Sequence, residues 1–503
     1  MKTIPEIHLC VQQPAGYLHS LGLVDQARYF RYQFRRLGVR VSMAKNRLRH
    51  DAVNFVFGAH LGFDPAQRER YACIFVNLEQ VGTANSNVSQ DYVHLLETSA
   101  VADYDPQNVA GYAADGREVP VVPLMHAPYL APAQAIPLEE RPIDLLFMGS
   151  MNERRRAWID KVECYGLTVS MFDGFLYGAE RDAYIMQAKA VLNTPFFDTS
   201  CLEQPRVAHC LSLGTPVISE RGPQYRPQQA FEDSVFWVGN DDMERFFTSE
   251  FASPAFYEAA RNKLRRFEQA DPIDAYAKLL AFAAGVRECH DGERAPQPWQ
   301  PRGINLGAGK DYKQGSLNID ALARAEPDLV LDLSAPLALP FTVAAPAAGP
   351  VLLVEDSVDL IQAKNVLTQV PDLAGLMGNC LRLLKEGGVF EIEVPYERAS
   401  SAWQDPTHVR AMNENSWIYF TDWFWHLGWF EHRFEIARSN WLDSSLKECG
   451  VEQAAFMHVI LRKIATSPRE RNTARTMQAD LRLPEDPVPA AEAFSSGADA
   501  APE

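Results

Sequence analysis

The sequence predicts an α/β protein made of three successive units, each a mainly parallel sheet covered by helices. Three observations carry that expectation. Short apolar runs alternate with helix-periodic segments twice before residue 290. A proline-rich connection, "REVPVVPLMHAPYLAPAQAIPLEERP", and a polar stretch, "ECHDGERAPQPWQPRG", break the pattern at two places. A glycine turn between two apolar runs, "INLGAGKDYKQGSLNID" (304–320), then opens a third alternation.

In the first unit "EIHLCV" reads as a strand and "LVDQARYFRYQFRRLG" as a helix, with Leu23, Ala27, Phe30 and Phe34 at helical spacing and Gly38 as its stop. "VRVSMA", "NFVFGA" and "ACIFVNLE" read as further buried strands. In the second unit "IDLLFMGS", "LTVSMFDG", "AVLNTPF" and "TPVISE" are the strands. "RRRAWIDKVECYG", "RDAYIMQAK" and "RVAHCLSLG" are the helices between them, and helical pattern continues over about 241–287. The expected divisions are 1–125, 126–290 with closing helices, a linker at 291–302, a third domain at 303–465 and a largely disordered tail at 466–503.

Length and composition agree. A chain of 503 residues exceeds one typical core, and 47% hydrophobic residues allow a buried core in each unit. The formal charge of −17 argues against a general nucleic-acid binder, which needs a positive field over the phosphates. Local basic pockets for anionic ligands remain compatible with it. The eight cysteines form no CxxC pair, so neither a metal site nor a disulfide framework is expected. The N-terminus lacks a secretory pattern, and no segment reaches the roughly 18 apolar residues needed to span a bilayer. A soluble, cytoplasmic protein is expected, with peripheral membrane association left open.

Two such units joined by a linker place a cleft between the carboxyl ends of two sheets, where open α/β sheets bind ligands. In the second unit Gly149-Ser150 ends a strand, where backbone N–H groups and a hydroxyl suit a phosphate. Asn193, Glu203, Arg206 and Glu220 fall at strand ends or helix starts. An arginine there suits a diphosphate through a forked contact, and a glutamate suits ribose hydroxyls. The bland alternative is a turn plus a surface Arg206–Glu203 pair of little energetic value.

The segments "FMGS" and "VLNTPFFDTSCLEQPRVAHCLSLGTPVISE" resemble the nucleotide-sugar lobe of GT-B glycosyltransferases of the bacterial polysaccharide and protein-glycan type. "GYLHSLGLVDQARYFRYQFRRLG", "NFVFGAHL" and "FVNLEQ" resemble the acceptor lobe of the same group, so the likeness covers about residues 5–285. It implies two Rossmann-like lobes, with Gly149, Ser150, Arg206 and Glu220 facing a sugar-nucleotide diphosphate and ribose, and Glu79 and His60 facing the cleft. Many retaining members carry a glutamate where this chain has His209, which leaves the ribose contact to Glu203 or Glu220.

In the third unit the glycine turn fits neither common phosphate motif. A dinucleotide fingerprint needs a third glycine where Tyr312 stands, and a P-loop needs Ser or Thr where Asp311 stands. S-adenosylmethionine has no phosphate to cradle. It needs a glycine turn for close backbone approach and an acid at the end of the next strand for the ribose hydroxyls. Gly307, Ala308 and Gly309 supply the turn, Asp320 the acid, and Asp332 a position near the adenine. The order of these segments, with "LLKEGGVFEIEVP" and "QDPTHVRAMNENSWIYF", resembles class I S-adenosylmethionine-dependent methyltransferases over about 303–465, which implies a third Rossmann-like domain. Where that family commonly has a His-x-Leu-Glu-His run, this chain has Asn365-Val366-Leu367-Thr368-Gln369. Asp405 and His408 are candidates to position or deprotonate an acceptor hydroxyl; the alternative is a turn cap and a structural histidine. The aromatic run "WIYFTDWFWHLGWFEHRF" reads as core with one exposed wall, the alternative being a stacking platform.

Two functions follow as expectations. One is a bifunctional glycan-modifying transferase of polysaccharide biosynthesis, taking a nucleotide sugar, S-adenosylmethionine and a glycan or glycosylated acceptor. The other is a protein with one of these activities, whose remaining unit is a degenerate binding or scaffolding module.

Overall fold

A computed structural model describes residues 5–81, 88–114, 116–172, 176–198, 200–222, 225–292 and 297–477. The first sheet contains β1 (Ile7–Val11), β2 (Val41–Lys45), β3 (Val53–Phe57), β4 (Cys73–Asn77) and β5 (Val101–Asp103). Its order is β2-β1-β3-β4-β5, with every pairing parallel. β1, β3 and β4 are buried at all positions, because helices cover both faces of a parallel sheet.

The second sheet contains β6 (Ile143–Phe147), β7 (Val169–Met171), β8 (Ala188–Asn193), β9 (Val217–Glu220) and β10 (Phe236–Val238). Its order is β10-β9-β8-β6-β7, again all parallel. Counted from the first strand of each lobe, both sheets run 2-1-3-4-5, so the lobes share one topology. In each, the order reverses between the first and third strands, and the loops leaving those strands form the crevice.

The helix Ile273–Gly292 corrects the expectation that the closing helices belong with the second lobe. It crosses back to pack on the first lobe, where Tyr276 meets Phe30 at 5.2 Å and Phe34 at 5.9 Å between ring centroids. One continuous apolar core therefore runs through both lobes. The proline-rich connection bridges them as well: the Met125 amide donates to the Tyr29 hydroxyl and the Ala127 amide to the Ser212 hydroxyl, each at 3.0 Å.

The third domain has its own core. Its strands are β11 (Gly303–Leu306), β12 (Leu317–Asp320), β13 (Leu329–Val330), β14 (Phe341–Ala345), β15 (Gly349–Leu353), β16 (Val358–Lys364), β17 (Leu384–Pro395), β18 (His432–Leu442), β19 (Glu448–Cys449) and β20 (Phe456–Ala465). β14 and β15 form a separate hairpin. The main sheet runs β13-β12-β11-β16-β17-β20-β18-β19. It is parallel from β13 to β17, and β20 enters antiparallel between β17 and β18. The chain is thus a mixed α/β protein with three Rossmann-like sheets.

The Gly387-Gly388 pair lies in an irregularity near the start of β17, where the pairing with β16 jumps from Leu384 to Val389 and Gly387 has φ +78°. Within the segment 466–503, expected to be largely disordered, residues Pro468–Met477 form a helix, and 478–503 lie outside the described residues. Among the described residues no helix is long and apolar enough to cross a membrane.

Phe30 joins Phe34, Phe55, Phe57 and Tyr276 in the contact between the crossing helix and the first sheet. Phe30→Ala is expected to cost about 3–5 kcal/mol in chemical denaturation, as large-to-small changes of a buried aromatic do.

Candidate functional site

A cavity of about 820 Å³ lies between the carboxyl ends of the two N-terminal sheets. The first lobe contributes Asp25 and Glu79, and the second contributes Gly149, Ser150, Arg181, Arg206 and His209. The second-lobe wall is built around Arg155, only 2% exposed. Its guanidinium donates to the Ser150 carbonyl at 2.8 Å, the Thr194 carbonyl at 3.0 Å and Glu203 at 2.5 Å. It thereby ties the loops after β6 and β8 to the helix Gln204–Ser212. Glu203 also pairs with Arg206. Among the described residues the Arg206 Nη1 is buried without a hydrogen-bond partner. An unused donor on a cationic group lining a cavity favours an anionic ligand.

Gly149 is required here for two reasons. Its φ is +137°, and a Cβ would stand 3.1 Å from both the Arg155 Nη1 and the Arg206 Nη2. The expected residues Gly149, Ser150 and Arg206 therefore meet in the cavity. Asn193 and Glu220 do not line it. Asn193 is fully buried and donates to the Ser219 hydroxyl at 2.9 Å. Glu220 is clamped by Arg154 at 2.7 and 2.9 Å and accepts from the Thr194 hydroxyl at 2.5 Å. Glu203 is engaged by Arg155 and Arg206 beneath the cavity surface.

The sequence reading missed Arg154 and Arg155. The signal was present: three successive arginines open the helix Glu153–Cys164, where the helix dipole disfavours cations, so carboxylate partners were required. His209 was noted only as a departure. Its Nε2 stands 2.7 Å from both the Asp182 carboxylate and the Arg181 Nη2. Arg181 reaches across the cleft to Asp25 at 2.9 Å, and His19 meets the Tyr177 hydroxyl at 2.8 Å. These contacts join the lobes at the cavity rim. Burial raises the Asp182 carboxyl, and His209 with Arg181 outweigh it and hold it below its usual range.

Glu79 is placed by a buried network at the ends of β4 and β5. Asp103, 1% exposed, accepts from Asn77 at 2.7 Å, Tyr112 at 2.9 Å and Asn108 at 3.2 Å. Asn77 and Asn108 each donate to the Glu79 carbonyl at 3.0 Å. The Glu79 side chain stands 3.5 Å from His60.

In the third domain β11, β12, β13, β16 and β17 are mutually parallel, so their carboxyl ends share one edge. That edge collects Gly307–Gly309, Asp320, Asp332 and the segments 365–371 and 396–412. Asp320 accepts from the Gly309 amide at 3.0 Å and the Leu322 amide at 2.8 Å. Gly307 has φ +63°, and a Cβ there would collide with the Val366 side chain. Asp332 is exposed and accepts from the Ser334 amide at 2.9 Å. The Val409 amide donates to the Thr368 carbonyl at 2.8 Å, which brings the 405–410 segment beside the loop after β16. There Asp405 accepts from the Thr407 hydroxyl at 2.7 Å and amide at 2.8 Å, a turn cap that lowers its carboxyl below the usual range. The His408 Nδ1 lies 2.9 Å from the Ala402 carbonyl, and its Nε2 is 3.8 Å from Asp405. Both candidates thus have structural duties at the edge that carries the glycine turn. In the aromatic run, Trp417, Phe420, Phe424 and Phe434 are buried, while Tyr419 and Trp423 form an exposed wall.

No family model matches the sequence. No curated protein matches it either. Among solved structures, the chain is similar to AviGT4, a glycosyltransferase involved in avilamycin A biosynthesis, at 16% identity and a TM-score of 0.38 over 57% of this chain and 98% of that one. It is also similar to WaaG, a glycosyltransferase involved in lipopolysaccharide biosynthesis, at 12% identity and a TM-score of 0.36 over 56% and 100%. Over 34% of its length it is similar to a SAM-dependent methyltransferase from Thermotoga maritima, covering 85% of that chain at 15% identity and a TM-score of 0.22.

Burial raises the Asp103 carboxyl from 3.8 to about 6, against the hydrogen bonds from Asn77, Asp105, Tyr112 and Asn108. A raised folded pKa means that the folded state holds the proton longer. The stabilising contribution is therefore full below 3.8 and is lost as pH rises through about 6. Urea midpoints are expected to carry a component falling with pH over that window. The component should be absent in Asp103→Asn, although that variant is less stable throughout.

Proposed function

We propose that the two N-terminal lobes transfer a sugar from a nucleotide donor, and that the third domain transfers a methyl group from S-adenosylmethionine to a glycan or related hydroxyl. The observation that carries the first half is the cavity between two sheets of one topology, with the buried, unsatisfied Arg206 Nη1 beside the Gly149-Ser150 turn. In this reading the Arg206 guanidinium and the Ser150 hydroxyl hold the donor diphosphate. Glu203, already shared by Arg155 and Arg206, orients Arg206 and leaves the ribose to other groups. His209 and Glu79 face the sugar and the acceptor from opposite walls. Asn193 and Glu220 support the loops from below.

For the third domain the supporting observation is Asp320. Two backbone amides fix its carboxylate at the lip of the glycine turn, and lone pairs remain free to accept from ribose hydroxyls. When bound, S-adenosylmethionine would supply an electrophilic methyl group. Gly307, Ala308 and Gly309 allow its close approach, and Asp332 lies on the adenine side. His408 stands at the same edge as a base for the acceptor hydroxyl through Nε2, the nitrogen that also faces Asp405, since Nδ1–H is taken by the Ala402 carbonyl. The protein would then act on a soluble or membrane-peripheral glycan during polysaccharide biosynthesis in the cytoplasm.

The single-activity reading is favoured by one observation: Asp405 and His408 are both held in local turn contacts, so the third domain would bind its cofactor without turnover. Two measurements separate the readings. Binding of the folded state raises apparent stability. A panel of UDP- and GDP-sugars is expected to raise the melting temperature, and Arg206→Ala should abolish that rise; no response to any nucleotide sugar would remove the first half. S-adenosylhomocysteine should bind the wild type and not Asp320→Ala. Methyl transfer from labelled S-adenosylmethionine to glycan acceptors then distinguishes a working domain from a binding one.

A further inference from the structure

β11 and β12 are parallel neighbours, and the chain between them is only residues 307–316. That is shorter than the crossover of about a dozen or more residues, usually helical, that parallel strands need. No helix forms there. The glycine turn is consequently without the helix that would pack it down from its own domain.

The first lobe takes that place. Its loop after β2 puts the Arg47 guanidinium 5.0 Å from the centre of the Tyr312 ring. The Tyr312 hydroxyl donates to Asp328 at 3.0 Å. Asp328, itself buried, accepts from the Asn318 amide at 2.9 Å and its side-chain nitrogen at 2.8 Å. The Asn318 side-chain Oδ1 accepts from the Lys313 amide at 2.8 Å and from the Asn305 side chain at 3.0 Å. Asn305 in turn donates to the Asp311 carbonyl at 2.6 Å. Tyr312 is thus the outer end of a network that pins both arms of the glycine turn. Burial drives its phenol well above the usual range, so it stays a neutral donor.

Other contacts hold the first lobe in register with this network. Arg70 lies 3.3 Å over the Trp299 ring and donates to the Ala348 carbonyl at 3.1 Å. The His50 amide donates to the Ala347 carbonyl at 2.8 Å, and Arg47 is 3.5 Å from Glu326. Among the described residues the Arg47 Nε is buried without a hydrogen-bond partner, and the guanidinium is held between the Tyr312 ring and Glu326.

We propose that Arg47 of the first lobe is a positioning residue for the third domain's cofactor turn, acting through Tyr312 and Asp328. The inference rests on the reading of residues 307–320 as an S-adenosylmethionine site. It makes the first lobe part of the cofactor site's framework, so the two halves of the chain work as one body.

The test is calorimetric titration of the full-length protein with S-adenosylhomocysteine, alongside hydrogen exchange of the amides in 307–316. A cation–π contact of this kind is worth about 0.5–2 kcal/mol. Arg47→Ala is therefore expected to weaken binding by about two- to thirtyfold and to speed exchange in 307–316. The melting-temperature response to nucleotide sugars should stay as in wild type. Arg47→Lys should recover part of the affinity, and Tyr312→Phe should reproduce part of the loss by releasing Asp328. Unchanged affinity and unchanged exchange in Arg47→Ala would overturn the proposal while leaving the cofactor reading intact. A wild type that does not bind S-adenosylhomocysteine would overturn the cofactor reading and the proposal with it.

Discussion

A guanidinium removed from water has to be paired, and Arg155 is the one on which the cleft depends. Its charge meets Glu203, and its remaining donors meet the Ser150 and Thr194 carbonyls. Removing one partner of such a group is costly, because it strands a buried charge. That cost holds three segments in one geometry: the turn after β6, the loop after β8 and the start of the helix Gln204–Ser212. Position 149 takes glycine because its φ is +137° and a side chain there would crowd Arg155 and Arg206. Arg206 keeps a donor free because Glu203 is shared. One wall of the cavity is thus assembled around a single carboxylate shared by two arginines.

The cleft has a second wall because the lobes are joined at more than the connection between them. The helix Ile273–Gly292 returns to the first lobe and seals the shared core with Tyr276. At the rim, Arg181 with Asp25 and His19 with Tyr177 close the distance between the two carboxyl edges. The third domain is added on the opposite terms. Its core is separate, and polar and cation–π contacts carry its seat on the first lobe.

Much of the architecture was legible in the sequence. Fully buried five-residue strands such as β1 and β4 announce themselves by composition, and the helix from Gly22 by its 3.6-residue period. The hairpin β14–β15 and the strands β18 and β20 were not read out. The half-exposed patterns of β14, β18 and β20 are weaker signals than a fully buried run, and β20 pairs with β17, some sixty positions earlier. At the site, Gly149 and Ser150 at a strand end and Arg206 at a helix start were legible as positions, and the structure brings all three to one cavity. Asn193 and Glu220 have the right types at the right ends. Their side chains nonetheless turn to Ser219 and Arg154, which no local pattern encodes.

The sequence by itself determined that this is a chain of three α/β units, that the third opens on a glycine turn followed by an acid, and that neither a dinucleotide motif nor a P-loop is present. Local rules suffice for these, since strand and helix periods and turn chemistry act over a few residues. Only the tertiary structure decided which candidates share a cavity. It also decided that Arg155 is the buried centre of the cleft, and that the glycine turn leans on another domain through Tyr312. Those outcomes depend on where a side chain's charge or ring can be satisfied, and its partner lies across a sheet or a lobe: 48 positions from Arg155 to Glu203, and far more from Arg70 to the third domain, where Ala348 stands 278 positions on.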